Sequence, residues 1–269
     1  MPEAEPFYDQ NARSEWERLE RHKTEFAVTM LALQEHLPPA PARIIDIGGG
    51  PGRYSIALSQ LGYQVTLVDL SRNSLTLAAE KAAEAKVEID QIIHANILDL
   101  GMIPSSTYQA AIIMGPLYHL LNHKERVLAI KEALRVVEPG GIVGAAHITR
   151  FAPFRQAAVE EQEWLADEHD YAMKLLESGI HDQTTMFANA YFIHPYDVNS
   201  LMESAGLQTI LLLGVEGIVA GHEEGVNALE GSAWNAWVEL NYQLGQDASL
   251  YGASDHLLYL GQKSSDTNL

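Results

Sequence analysis

The sequence predicts an α/β fold: a mostly parallel sheet of seven strands with an antiparallel carboxyl-terminal edge and a helical cap insertion. Three observations carry this. Seven short apolar runs of strand length are spread along the 269 residues; the first five alternate with helical patterns, as parallel β-α-β units require; and the last two lack that crossover.

Taken in order, residues 15–37 place Trp16, Leu19, Phe26, Met30, Leu33 and Leu37 at the spacing of one amphipathic helix, ended by Pro38, Pro39 and Pro41. Lying ahead of the first strand, this helix can cross the sheet's carboxyl edge. Residues 1–42 are therefore read as a helical lid, with Tyr8, Arg18, Arg21 and His22 as the polar groups that would face a ligand. Ile44, Ile45 and Ile47 make the first strand, glycines follow at once, residues 54–61 are helical, and Val65, Leu67 and Val68 begin the second strand. Ser71 can cap a helix over 73–86, and 87–94 alternates toward a third strand. Residues 108–114 (YQAAIIM) read as a buried fourth strand. A loop and a helix closed by Pro139, Gly140 and Gly141 then lead to a fifth strand over 142–148, completing a core of residues 43–148.

From 149 to 194 no strand pattern is visible; 159–176 is helical and acidic, an insertion placed where substrate-covering segments of open α/β sheets sit. Residues 195–269 complete the sheet: a helix over 195–205, strands over 207–215 and 256–261, and between them a helix over 231–244. Its Trp234 and Trp237 read as core or interface, and exposed aromatics there would permit a homodimer.

Composition narrows the partner. A formal net charge of −19 leaves no clustered basic surface for phosphates, which argues against nucleic acid and for a small-molecule partner. With no cysteine, disulfides, thiolate metal sites and cysteine nucleophiles are excluded. The acidic amino terminus, MPEAEPFYDQ, lacks the apolar region of a secretory signal, and the best apolar run, 209–215, is far too short to span a bilayer. A soluble, cytoplasmic protein without membrane contact is the expectation.

The chemistry centres on RIIDIGGGPGRYSIALSQLGYQVTLVDLS, residues 43–71. A glycine turn at the end of the first strand lets a ligand approach the backbone. A dinucleotide fingerprint needs G-x-G-x-x-G, but Arg53 stands at the third position, and the run is D-x-G-x-G-x-G from Asp46 through Gly48, Gly50 and Gly52. Asp69, ending the second strand, can accept hydrogen bonds from two vicinal ribose hydroxyls.

At these residues the sequence resembles the class I S-adenosylmethionine-dependent methyltransferases. The resemblance extends through HANILDL at 94–100 and LRVVEPGG at 134–141, and covers roughly residues 8–148 plus the carboxyl-terminal strand pair. It implies a Rossmann-like sheet and S-adenosyl-L-methionine as cofactor. It also implies a set of cofactor contacts: Asp46, Gly48, Gly49, Gly50 and Gly52, with the backbone near Gly48 and Gly50 at the methionine part, then Asp69 at the ribose, Leu70 at the adenine face, Asn96 and Ile97 at the adenine edge, and the Met114 carbonyl at the amino group.

Methyl transfer from a sulfonium asks the protein for alignment, desolvation and, for a protonated nucleophile, a base; no metal is demanded. His119 and Tyr118, after the fourth strand, and His147, ending the fifth, are the candidate catalytic groups. Tyr191 and His194 are weaker candidates from the insertion. His119 and His123 are four apart, but without an HExxH setting they make a poor metal pair. The expected function is O- or N-methylation of a small-molecule acceptor. The alternatives are an NAD(P)-dependent oxidoreductase, disfavoured by Arg53, and a non-catalytic or cyclase-type S-adenosylmethionine-binding protein.

Overall fold

The computed structural model describes residues 4–182 and 188–265. Its centre is a seven-stranded sheet in the order β3-β2-β1-β4-β5-β9-β8. The strands are β1 (Arg43–Ile47), β2 (Gln64–Asp69), β3 (Gln91–His94), β4 (Tyr108–Ile113), β5 (Val137–Ile148), β8 (Leu207–Gly214) and β9 (His256–Lys263). The first five are parallel, while β9 is antiparallel to both β5 and β8. The order reverses at β1, which has β2 on one side and β4 on the other, so a crevice opens where their crossovers depart in opposite directions.

Helices cover both faces, and the two-residue period of each strand sends alternate side chains to each layer. Ile44, Ala110, Ile112 and Leu258 meet Val28 and Leu33 of α2 (Lys23–His36) and Leu58 of α3 (Arg53–Gln60). Ile45, Ala111, Val143 and Ala145 face the opposite layer, with Ala129 and Ala133 of α5 (His123–Val136) and Val198 and Leu201 of α9 (Asp197–Ser204). Ser71 caps α4 (Arg72–Ala85) as expected, its hydroxyl accepting from the Ser74 amide at 3.1 Å.

The structure corrects three readings. The amino-terminal helix is two, α1 (Ala4–Arg21) and α2, broken at His22. The acidic helix over 159–176 is divided among α6 (Ala152–Glu160), α7 (Trp164–Asp167) and α8 (His169–Ser178). The insertion also carries a strand pair, β6 (Ile180–His181) with β7 (Ala190–Tyr191), each too short to alternate visibly in sequence. After β8 come α10 (Glu223–Asn227) and α11 (Gly231–Leu244), on which Trp234 and Trp237 are half-buried. Among the described residues no helix is long and apolar enough to cross a membrane.

Helix α1 is fastened beside the crevice by polar contacts. The Ser71 hydroxyl donates to the Asp9 carboxylate at 2.6 Å and the Asn73 side-chain amide to the Asp9 carbonyl at 2.9 Å. Arg53 lies 4.2 Å over the Trp16 ring and 3.2 Å from Glu20, joining the start of α3 to α1. The side chain that breaks the dinucleotide pattern is therefore an anchor for the first helix.

Candidate active site

At the carboxyl end of β1 the chain turns through Gly48, Gly49 and Gly50, and the Gly48 amide donates to the Val68 carbonyl at 2.6 Å. A Cβ on Gly49 would stand 2.4 Å from Asp46 Oδ2, so only glycine passes over that buried carboxyl. Gly50 has φ +54°, yet a Cβ there would meet nothing within 4 Å. Its backbone therefore faces open space, a cradle that a side chain would fill. Across the gap Asp69 is held by two backbone amides: Oδ2 accepts from Gly50 at 2.8 Å and Oδ1 from Ser71 at 2.7 Å. Burial raises its pKa against the lowering effect of those amides.

These groups form part of the lining of a single cleft. Leu70, Ala95, Ile97 and Met114 extend that lining, and Tyr8, Glu15, Arg18 and Leu19 of α1 close the cleft from above. Pro116, Tyr118 and His119, on a single 3-10 turn after β4, also line the cleft, with Pro116 packed directly against Gly48.

His119 is buried, and its ring is fixed from both sides. Nδ1 lies 3.0 Å from the Asn189 carbonyl, which can only accept, so Nδ1 carries the proton. Nε2 is then the acceptor, and the Tyr8 hydroxyl donates to it at 2.5 Å. Burial pushes the imidazole pKa down to about 4, so the ring is neutral at physiological pH with its Nε2 lone pair directed toward Tyr8. Burial likewise drives the Tyr8 and Tyr118 phenols up, keeping both protonated.

Behind Arg18 runs a buried ion network. Its guanidinium grips both oxygens of Glu25, at 2.6 and 3.0 Å. His256 lies 3.8 Å from Glu25 and 2.5 Å from Glu216, whose Oε2 accepts from Ser254, Asp255 and His256. The two carboxylates hold the imidazolium up to about 9 despite its burial, while Arg18 and His256 hold Glu25 down to about 2. Alternating charges thus join the helix over the cleft to the start of β9.

Several expected site residues stand elsewhere. Asp46 lies behind the glycine turn, fully buried; its Oδ2 accepts from the Ser55 hydroxyl at 2.7 Å, and burial pushes its carboxyl up to about 7. Gly52 caps α3 outside the cleft lining. The Asn96 side chain turns back on its own loop, accepting from the Leu98 amide at 3.0 Å, and leaves the wall to Ala95 and Ile97. His147 does not line the cleft. It shares the strand face of Val143 and Ala145, toward α5 and α9, where burial and nearby Arg126 push it down to about 3. Arg21 and His22 turn to α10: the Arg21 carbonyl accepts from Asn227, and His22 lies 3.4 Å from Glu223. His194 meets Phe151 edge to face and Tyr196 at a tilt, and Tyr191 lies under Arg126. His123 begins α5 and lines a second cavity with Arg126, so it does not converge with His119.

Glu15 and Leu19 were not anticipated. Residues 8, 15 and 18–19 share one face of a continuous helix, so extending the periodicity back through Tyr8 would have gathered them.

The sheet order and the glycine turn at its switch point define an α/β protein that binds a nucleotide-type cofactor. Comparison with known proteins specifies which. The methyltransferase domain family matches residues 44–141. Over 185 residues the chain is 30% identical to the ubiquinone biosynthesis O-methyltransferase of Ralstonia nicotianae, covering 68% of this chain and 70% of that protein. It is 27% identical over 172 residues to the protein of the same name from Xanthomonas axonopodis pv. citri, covering 64% and 65%. The chain thus spans about two thirds of the length of these curated relatives. A solved S-adenosylmethionine-dependent methyltransferase from Methanosarcina mazei has the same fold, with TM-score 0.60 at 18% identity over 87% of this chain and 98% of that one. The chain belongs to the class I S-adenosylmethionine-dependent methyltransferase family, enzymes whose cofactor is S-adenosyl-L-methionine.

Proposed function

We propose that the protein transfers a methyl group from S-adenosylmethionine to an oxygen or nitrogen atom of a small-molecule acceptor, with oxygen favoured by the names of its relatives. One observation carries the reading: a single cleft is lined by the open glycine turn, by Asp69 and by the neutral, oriented His119. The cofactor, when bound, supplies a methyl carbon already activated on a sulfonium. Asp69 would hold the ribose hydroxyls, Leu70 and Ile97 would flank the adenine, Arg18 would take the methionine carboxylate, and the Met114 carbonyl would accept from the amino group. The glycine turn suits this ligand because nothing projects from Gly50.

His119 Nε2 would accept the proton of the acceptor hydroxyl, while the Asn189 carbonyl retains Nδ1–H and stabilises the imidazolium formed. Tyr8 must give up its bond to Nε2 first, so α1 acts as a lid that yields to the acceptor. The segment 149–194 would cover the acceptor. It supplies the aromatic cluster of Phe154, Trp164, Tyr171 and Phe192 behind Tyr118, which suits an apolar or aromatic acceptor. We place the reaction in the cytoplasm, without membrane or nucleic-acid contact, on the acidic composition, and a homodimer would use the half-buried tryptophans of α11.

Calorimetry with S-adenosylmethionine and its demethylated product tests the cofactor. Mass spectrometry over a panel of phenols, catechols and primary amines tests the acceptor. Binding together with a methylated phenol is expected; absence of binding to either form of the cofactor overturns the reading.

A further inference from the structure

Arg126, on α5, is a buried guanidinium, 5% exposed, without a carboxylate partner among the described residues. Such a group is costly to bury, and burial lowers its pKa. Its contacts show what compensates the charge. Nη1 donates to the carbonyls of Leu120 at 2.6 Å and Leu121 at 2.9 Å, the two residues that follow His119. The guanidinium carbon lies 3.7 Å over the Tyr191 ring. Tyr191 belongs to β7, and two residues before it the Asn189 carbonyl accepts from His119 Nδ1. One side chain therefore fastens both sides of the His119 setting: the backbone leaving the histidine, and the strand whose leading carbonyl fixes its tautomer. Lysine has neither the planar face to stack nor the fixed fork of donors, so it would keep the charge without the geometry.

We propose that Arg126 is a positioning residue for His119, holding the post-β4 turn against β7 so that Nδ1 keeps the proton and Nε2 stays an acceptor toward the cleft. The inference rests on His119 acting as the base. Arg126 is absent from the cleft lining, so it acts through position alone.

The test is ring nitrogen-15 spectroscopy of the full-length protein, with the His119 signals assigned by their loss in His119→Gln. In the wild type the Nδ1–H tautomer should dominate. Arg126→Met should shift His119 toward roughly an even tautomer mixture, and Arg126→Lys should shift it in the same direction. The dissociation constant of S-adenosylhomocysteine should stay within about twofold of wild type, because the cofactor wall is untouched. Tyr191→Leu removes only the stacked ring and should give a smaller shift of the same sign; it decides the matter should Arg126→Met fail to fold. Unchanged His119 signals would overturn the proposal, as would a loss of S-adenosylhomocysteine affinity of tenfold or more, which would make Arg126 a general structural residue. Should the wild type bind no S-adenosylhomocysteine, the proposed function fails while the tautomer measurement still decides the positioning role.

Discussion

Raising the pH should loosen the junction between the helices over the cleft and the carboxyl-terminal half of the sheet, because His256 bonds there as a cation. Its folded value of about 9 stands above the 6.5 of an unperturbed histidine. Below 6.5 both folded and unfolded chains hold the proton, and the stabilisation is fully present. Between 6.5 and about 9 the unfolded chain has released its proton while the folded one keeps it, so stability falls as pH rises; above 9 the contribution is gone. At about 1.4 kcal/mol for each pH unit the loss amounts to about 3 kcal/mol, a large part of an ordinary domain's margin. Solvent screening discounts this little, since the His256 side chain is 17% exposed and Glu216 1%. Urea titrations followed by tryptophan fluorescence at pH 6.5, 8 and 9.5 should show this decline. His256→Gln should flatten it, at a cost of about 3–5 kcal/mol at neutral pH from the buried carboxylates left without their cation. Wild-type stability that is level or rising over this range, or an equal decline in His256→Gln, would refute the charge assignment. Arg18 is the far end of the same network, so cofactor affinity should hold up to about pH 8 and weaken only as pH rises through about 9, where the folded protein itself releases the His256 proton.

Four further outcomes are expected. Asp69→Ala should weaken S-adenosylhomocysteine binding by about 2 kcal/mol or more, roughly thirtyfold by calorimetry, and unchanged affinity would remove Asp69 from the ribose site. His119→Gln should lower turnover by about 10²–10⁴-fold with cofactor affinity unchanged; because the wild-type ring protonates only at about 4, the rate should stay level as pH falls from 8 to about 5, and a limb near the ordinary histidine value would contradict the burial argument. Asp46→Asn should stabilise the protein at pH 8 by at most ~4 kcal/mol, since the folded carboxyl ionises at about 7 rather than 3.8 and its burial cost grows through that range; the gain should vanish by pH ~4. Gly50→Ala should cost about 1–2 kcal/mol for its left-handed backbone, read as a modest drop in Tm, but should cut cofactor affinity at least tenfold by placing a methyl group in the open cradle.

What could be read in the chain depends on how far each feature reaches along it. The runs Ile44–Ile47 and Tyr108–Ile113 announce strands through their own side chains, and the turn from Gly48 to Gly50 announces a ligand through its own backbone. Asp69 was legible because one β-α-β unit fixes its distance from that turn. The break at His22 was hidden because apolar spacing continues across a junction of two helices that both face the core. His147 was misplaced for a different reason: lying at the end of a strand brings a residue to the right edge of the sheet, but its parity with Val143 and Ala145 sends the side chain to the α5 face. The bond from Tyr8 to His119 and the chain of charges from Arg18 through Glu25 and His256 to Glu216 join segments far apart in sequence, and each member alone is an ordinary polar residue. This division follows the chemistry. A cofactor common to a family is held mainly by backbone and by strand ends, which local pattern specifies. His119, the group proposed to take the acceptor's proton, is tuned by burial and by partners from α1 and from the residue before β7, which only the folded chain brings together.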